Sequence, residues 1–120
     1  RASSVRAIRW ILQSDGLGGW QVVSTDVLGD VGTGRTTVHV WPGAVSQAGD
    51  VVGVAGAYIM DGYPVKWSAF ESAFQKLPLP RGGAQGRAMD INNLGWIAGA
   101  VWDEANKCDR AAIWRLRGVD

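Results

Sequence analysis

The sequence predicts an all-β protein built of antiparallel four-stranded meander repeats, a partial β-propeller of about two blades per chain. Three observations lead there. Residues 44–53, AVSQAGDVVG, return 46 residues later as residues 90–99, DINNLGWIAG. Each copy is followed by a short run ending in Trp, YPVKW at 63–67 and RAAIW at 110–114, and a third such run, RAIRW at 6–10, stands near the start. Finally, 17 glycines and many β-branched residues interrupt any 3.6-residue period. The interval from Gly53 to Trp67 is 14 residues and that from Gly99 to Trp114 is 15, so the copies behave as a unit. A period in the forties made of short strands is the signature of a propeller-type array.

Taken in order, residues 5–12 and 20–28 read as the first two strands, each rich in Val, Ile and Leu. Residues 36–45, 50–60, 64–67 and 73–79 form the next four, the last of them closed off by Pro78 and Pro80. Only residues 68–76 could supply a helical turn. Residues 87–91 and 96–102 flank the turn signal Asn92-Asn93-Leu94-Gly95, and residues 110–116 come after the polar loop 103–109, which makes a three-stranded meander. The total is about nine strands. With four strands to a blade, the single module 1–120 divides into the end of one blade plus an insertion (1–35), one complete blade (36–79) and one incomplete blade (80–120). The insertion is visible in the spacing. Trp10 to Gly49 spans 39 residues but Trp67 to Gly95 only 28, so 11 extra residues fall within 14–37, where loops are free to vary.

Composition narrows the function classes. Twelve basic residues are interspersed with 11 acidic ones for a net charge of +1, which gives no basic cluster for nucleic acid. The longest apolar run, 51–60, holds two glycines and is about half the length of a membrane-spanning helix. The single Cys108 cannot form an internal disulfide. The chain opens without Met, signal peptide or tag, so a native start further upstream is expected.

These residues resemble a known family. The segments RAIRW, WPGAVSQAGDVVGVAG and LPLPRGGAQGRAMDINNLGWIAGAVWDEANKCDRAAIWRL are similar to HAF-type extracellular repeats, with their Trp-ended strand, Leu-Pro turn and Ile-Asn-x-x-Gly-x-Val-x-Gly hairpin. Ser46 and Gln47 stand where the pattern has two Asn, and none of the three Trp runs carries His-Ala-Phe. The resemblance covers nearly the whole chain apart from the insertion. It implies a propeller in an exported bacterial protein, extracellular or periplasmic, and it implies no catalytic activity.

A competing motif lies in the insertion. Gly29-Asp30-Val31-Gly32-Thr33-Gly34-Arg35-Thr36 fits the phosphate-loop pattern except that Arg35 replaces the Lys, giving a nucleotide-binding protein as the alternative function. Mechanism weighs against it. A planar guanidinium does not reproduce the compact ammonium, and the loop must lead into a helix N-terminus, whereas Thr37-Val38-His39-Val40-Trp41-Pro42 favours a strand. Residues 57–61, AYIMD, imitate the second phosphate-site strand, but strand plus hairpin turn already accounts for them. His39 has no neighbouring Cys or second His to form a metal site. Cys108 lies beside Lys107 without a nearby catalytic His. Asp103, Glu104, Asn106 and Asp109 lack the Gly and the terminal Glu of a calcium loop and read as a solvated turn. No cofactor, metal or catalytic residue is expected.

A binding or scaffolding module remains, with carbohydrate or another protein as partner. Chain reversal at every turn places the second-to-third-strand loops and the blade-to-blade loops on one face, which would carry 29–35, 61–63, 81–87 and 103–109. Its candidate ligand residues are Arg35, Asp61, Tyr63, Arg81 and Arg87. Trp10, Trp67 and Trp114 recur at one repeat position, as packing between blades demands, and Trp20 and Trp102 are the better candidates for exposed aromatic platforms. Unpaired edges along 5–12 and 110–116 further predict a homo-oligomer whose chains complete each other's blades, three copies supplying about six to seven.

Overall fold

A computed structural model describes residues 7–28, 39–56, 62–80 and 83–115. Among these lie nine strands: β1 Ala7–Ser14, β2 Trp20–Leu28, β3 His39–Val45, β4 Val51–Gly56, β5 Tyr63–Trp67, β6 Gln75–Lys76, β7 Gly83–Ile91, β8 Ile97–Asp103 and β9 Cys108–Trp114. They form three small antiparallel sheets, β1-β2, β3-β4-β5-β6 and β7-β8-β9. Two, four and three strands is the division that the repeat requires.

The sequence repeat is also a repeat of register. Val45 pairs with Val51 and Ile91 with Ile97, while Pro42 pairs with Gly53 and Ala88 with Gly99, all at the 46-residue offset. Each hairpin has a bulge at the same point, between Pro42 and Ala44 and between Ala88 and Asp90. The bulge bends the first strand into the second. A Cβ on Gly53 would fall on the carbonyl oxygen of Trp41, and one on Gly99 on that of Arg87, so glycine is obligatory at both places. The turns match as well. The Gly49 amide donates to Ser46 O at 3.0 Å with φ at 102°, and the Gly95 amide to Asn92 O at 3.1 Å with φ at 86°. Ser46 takes over the role of Asn92: its Oγ accepts from the Asp50 amide at 3.2 Å, as Asn92 Oδ1 accepts from the Trp96 amide at 3.0 Å.

The sheets stack through alternating faces. Val51, Val65, Trp67 and Phe74 of the middle sheet form one core with Ala7 and Leu28 of the first. Val52, pointing the other way, joins Ala88, Ile91 and Ile97 of the third sheet, with Ala44, Leu77 and Trp114 packed around them. Thus β4 is buried on both sides, which is why its sequence VVGVAG is continuously apolar rather than alternating. Trp67 is fully buried and meets Phe74 edge-on, with ring centroids 6.0 Å apart. The half-buried Trp114 donates its indole N–H to Pro78 O at 2.7 Å. At the turns, the equivalent residues Gln47 and Asn93 bond each other across the junction: Gln47 N–H to Asn93 Oδ1 at 3.0 Å and Asn93 Nδ2 to Gln47 Oε1 at 3.1 Å.

Arg9 ties the first sheet to the second. It is 4% exposed, and its guanidinium donates to the carbonyls of Gly49, Ser68 and Glu71 at 2.9–3.2 Å and to Asp26 Oδ2. The charge is tolerated in this position because fixed dipoles and one carboxylate replace water around it.

Several expectations change. Residues 68–76 are not helical. A turn in which the Glu71 amide donates to Ser68 O leads through buried Phe74 to β6. The strand expected over 73–79 shrinks to Gln75–Lys76, because Pro78 and Pro80 have no amide to extend it. Trp10 does not share the buried setting of Trp67. It is 60% exposed, since its face of the first sheet has no neighbour among the described residues. The expected ends of strands at 5–6, 36–38, 57–60 and 116 lie outside the described residues.

Candidate functional site

Polar groups converge at the end of the third sheet, where β8 turns into β9. Cross-strand pairing sets them there: Asp103 lies opposite both Cys108 and Gly83, and Trp102 opposite Asp109. A tight turn over residues 104–107 closes the hairpin, with Lys107 in the left-handed region at φ 53°. Asp103 organises it. Its carboxylate accepts from the Ala105 and Asn106 amides, from Asn106 Nδ2 at 2.8 Å and from Arg110 Nε at 2.9 Å. The Asn106 side chain first, and the Arg110 guanidinium next, hold its pKa down at about 2. Glu104 is likewise held below the usual carboxylate range, by the Trp102 indole N–H at 2.8 Å and then by Lys107 Nζ at 3.1 Å.

Beside the turn is an open cleft of about 210 Å³, lined by Pro80, Gly83, Val101, Trp102, Asp103 and Arg110 together with Ala111 and Ala112. That is below the roughly 300 Å³ at which pockets for drug-sized ligands begin, and suits one small polar group. The Asp103 carboxylate and the Arg110 guanidinium stand on the Val101 side of the strand pair, and the Trp102 side chain on the opposite side with Ala100 and Asp109. The first two can orient a ligand by hydrogen bonding, and the indole offers a separate stacking surface. The half-buried thiol of Cys108 stands next to it without a disulfide partner. Among the described residues, no group of three His, Cys, Asp or Glu side chains is placed to hold a metal ion.

The candidate residues are thereby separated into groups. Trp102 and Arg87 share one region, with Arg87 reaching Asp109, the cross-strand partner of Trp102, at 3.8 Å. Trp102 is half-buried rather than a free platform, because its ring edge is anchored to Glu104. Neither Arg87 nor Tyr63 is a loop residue: Arg87 is central in β7, and Tyr63 in β5 packs edge-on against Phe74 with Lys76 Nζ 4.3 Å above its ring. The start of β5, the first half of β7 and the end of β8 lie together. The Gly86 amide donates to Gly62 O at 3.0 Å, and Gly83 pairs with Asp103. Trp20 sits at the other end of its sheet, beside the Asp15–Gly19 turn, and is 71% exposed. Arg35, Asp61 and Arg81 lie outside the described residues, as does the whole phosphate-loop-like segment 29–36. The next described element after that segment is the strand β3, from His39 onward.

Sequence reasoning passed over Arg9 and the organising role of Asp103. Arg9 could have been found from its alternation with buried Ala7 on an inward-facing strand position. Asp103 had the x-Asp-x-x-Asn spacing of a side chain that bonds its own turn. Among the described residues, no helix is long and apolar enough to cross a membrane. In comparisons with protein-family models, with curated proteins and with solved structures, nothing matches this chain.

Proposed function

We propose that the chain is a propeller-like repeat module that binds or scaffolds rather than catalyses, in the manner of the HAF-type extracellular repeats that it resembles, working outside the cytoplasm on a carbohydrate-bearing partner. The observation that carries this reading is the identity of the two hairpins in bulge, obligatory glycine, turn and stacking. Repeated sheets stacked in this way make a rigid scaffold whose turn residues are free to specialise. The cleft at Asp103 and Arg110 is a surface suited to a small polar group. The carboxylate and guanidinium complement the hydroxyls of a sugar ring, and the part-exposed Trp102 indole on the other side of the strand pair adds a second, apolar contact surface.

Glycan-array binding, with NMR titration of the Trp102 indole N–H as the second step, tests the proposal. Binding of a defined glycan class that shifts this signal and is lost in Trp102→Ala supports it. A silent array, together with thermal stabilisation of the chain by Mg-ATP, would overturn it in favour of nucleotide binding.

A further inference from the structure

Among the described residues, the first sheet leaves one of its faces uncovered. Cross-strand pairing places Ile8 with Val27, Trp10 with Thr25, Leu12 with Val22 and Ser14 with Trp20 on a single side. The six apolar residues of this face are 49–71% exposed. Together they present about 500 Å² of apolar surface, near the upper end for the largest patch on a monomer.

What covers such a face is written twice within the molecule. The Trp67 face of the middle sheet is closed by the Ala7 and Leu28 side of the sheet before it. The Trp114 face of the third sheet is closed by the Ala44, Val52 and Leu77 side of the middle sheet. By the same rule the Trp10 face takes the outgoing side of a preceding sheet. Among the described residues, such a side is uncovered on the third sheet, where Ala98 pairs with Ile113 and Ala100 with Ala111, alternating with the inward-pointing Ile97 and Trp114. Ile113 there is 67% exposed. Arg87, Asp90 and Asp109 provide a polar rim, the usual anatomy of an interface patch. Resting on the repeat reading, we propose that the Trp10 face is the docking site for the Ile113 face of a second copy, in a head-to-tail junction that copies the two internal ones.

Stacking fits this protein better than pairing of open edges. Joining β9 of one copy to β1 of another would give a five-stranded sheet, one strand more than the four that the complete repeat builds. The Trp10 face supplies most of the apolar surface for such a contact, and Ile113 with Ala98, Ala100 and Ala111 supplies a smaller, flatter counterpart. A head-to-tail contact has different surfaces on its two sides, and that makes it separable by mutation.

The test measures mass by light scattering from micromolar to sub-millimolar concentration for the wild type, Trp10→Asp, Ile113→Asp and an equimolar mixture of the two variants. The wild type should grow in mass with concentration, and each variant alone should lose at least about tenfold in self-affinity. The mixture should recover a dimer and stop there, because one competent face survives on each partner. Both substitutions are at positions more than half exposed, so circular dichroism should remain that of the wild type, and Leu12→Arg provides a second variant of the Trp10 face. A wild type that stays monomeric would overturn the proposal. So would an Ile113→Asp variant that assembles normally, or a mixture that fails to dimerise. Failure of the repeat reading would instead appear as altered strand content, whatever the mass.

Discussion

Replacing Trp67 with Ala removes the largest side chain buried between the first two sheets. The indole is fully inaccessible and belongs to one core with Val51, Val65, Phe74, Ala7 and Leu28, residues drawn from two sheets. Truncating a buried aromatic of this kind costs about 3–5 kcal/mol, counting both lost transfer energy and the cavity left behind. The edge contact with Phe74 disappears with it. Against a global stability of about 5–15 kcal/mol the loss is a large fraction. With a urea dependence of about 2 kcal/mol per molar, the unfolding midpoint should fall by about 2 M. Far-UV circular dichroism at a concentration where the chain is monomeric reads this without relying on Trp emission. Trp10→Ala, at the equivalent but exposed position, should shift stability by less than about 1 kcal/mol under the same conditions. Equal midpoints for Trp67→Ala and the wild type would refute the packing of the first sheet on the second.

Gly53→Ala and Gly99→Ala should destabilise by similar amounts, about 1–3 kcal/mol or more, since each new Cβ meets the carbonyl of an equivalent residue. Unequal losses in denaturant titration would break the equivalence of the hairpins. Arg9→Ala should cost about 3–5 kcal/mol by the same measurement, because three carbonyls and Asp26 lose their shared donor. The Asp103 carboxyl titrates at about 2 instead of 3.8. Its depressed pKa means that its contribution to the hairpin is present above 3.8 and is lost as pH falls toward 2. Carboxyl-detected NMR titration should show that midpoint, and should show it rising toward 3.8 in Asn106→Ala and in Arg110→Ala.

Strand order and sheet division were legible because the repeat carries them: a glycine that only a bulge requires, a turn that only Gly completes, and a Trp at a fixed distance. Trp67 and Trp114 obey that rule because each has a sheet in front of it, and Trp10 departs from it because no sheet lies in front of it among the described residues. Burial depends on the neighbour, and the neighbour is not encoded in the strand itself. The fourth strand of the middle sheet was overestimated for a local reason, the two prolines, whose effect on the ladder is stronger than the apolar pattern of LPLP. Of the cleft residues, only Trp102 was among the expected ligand residues, and the geometry around it was not legible. Nothing in the spacing of Trp102, Asp103 and Arg110 reveals that the turn folds around the Asp103 carboxylate or that Glu104 holds the indole.

The central claim is that one structural operation relates successive sheets, and a crystal structure of the chain tests it most directly. The rotation carrying residues 39–56 onto 85–102 should also carry β1 onto β5 and β5 onto β9, with a constant angle of about 45–90° and little translation along the axis, as an array of four to eight blades requires. Rotations that differ between the two steps, or a steady translation along the axis, would contradict the propeller-like account.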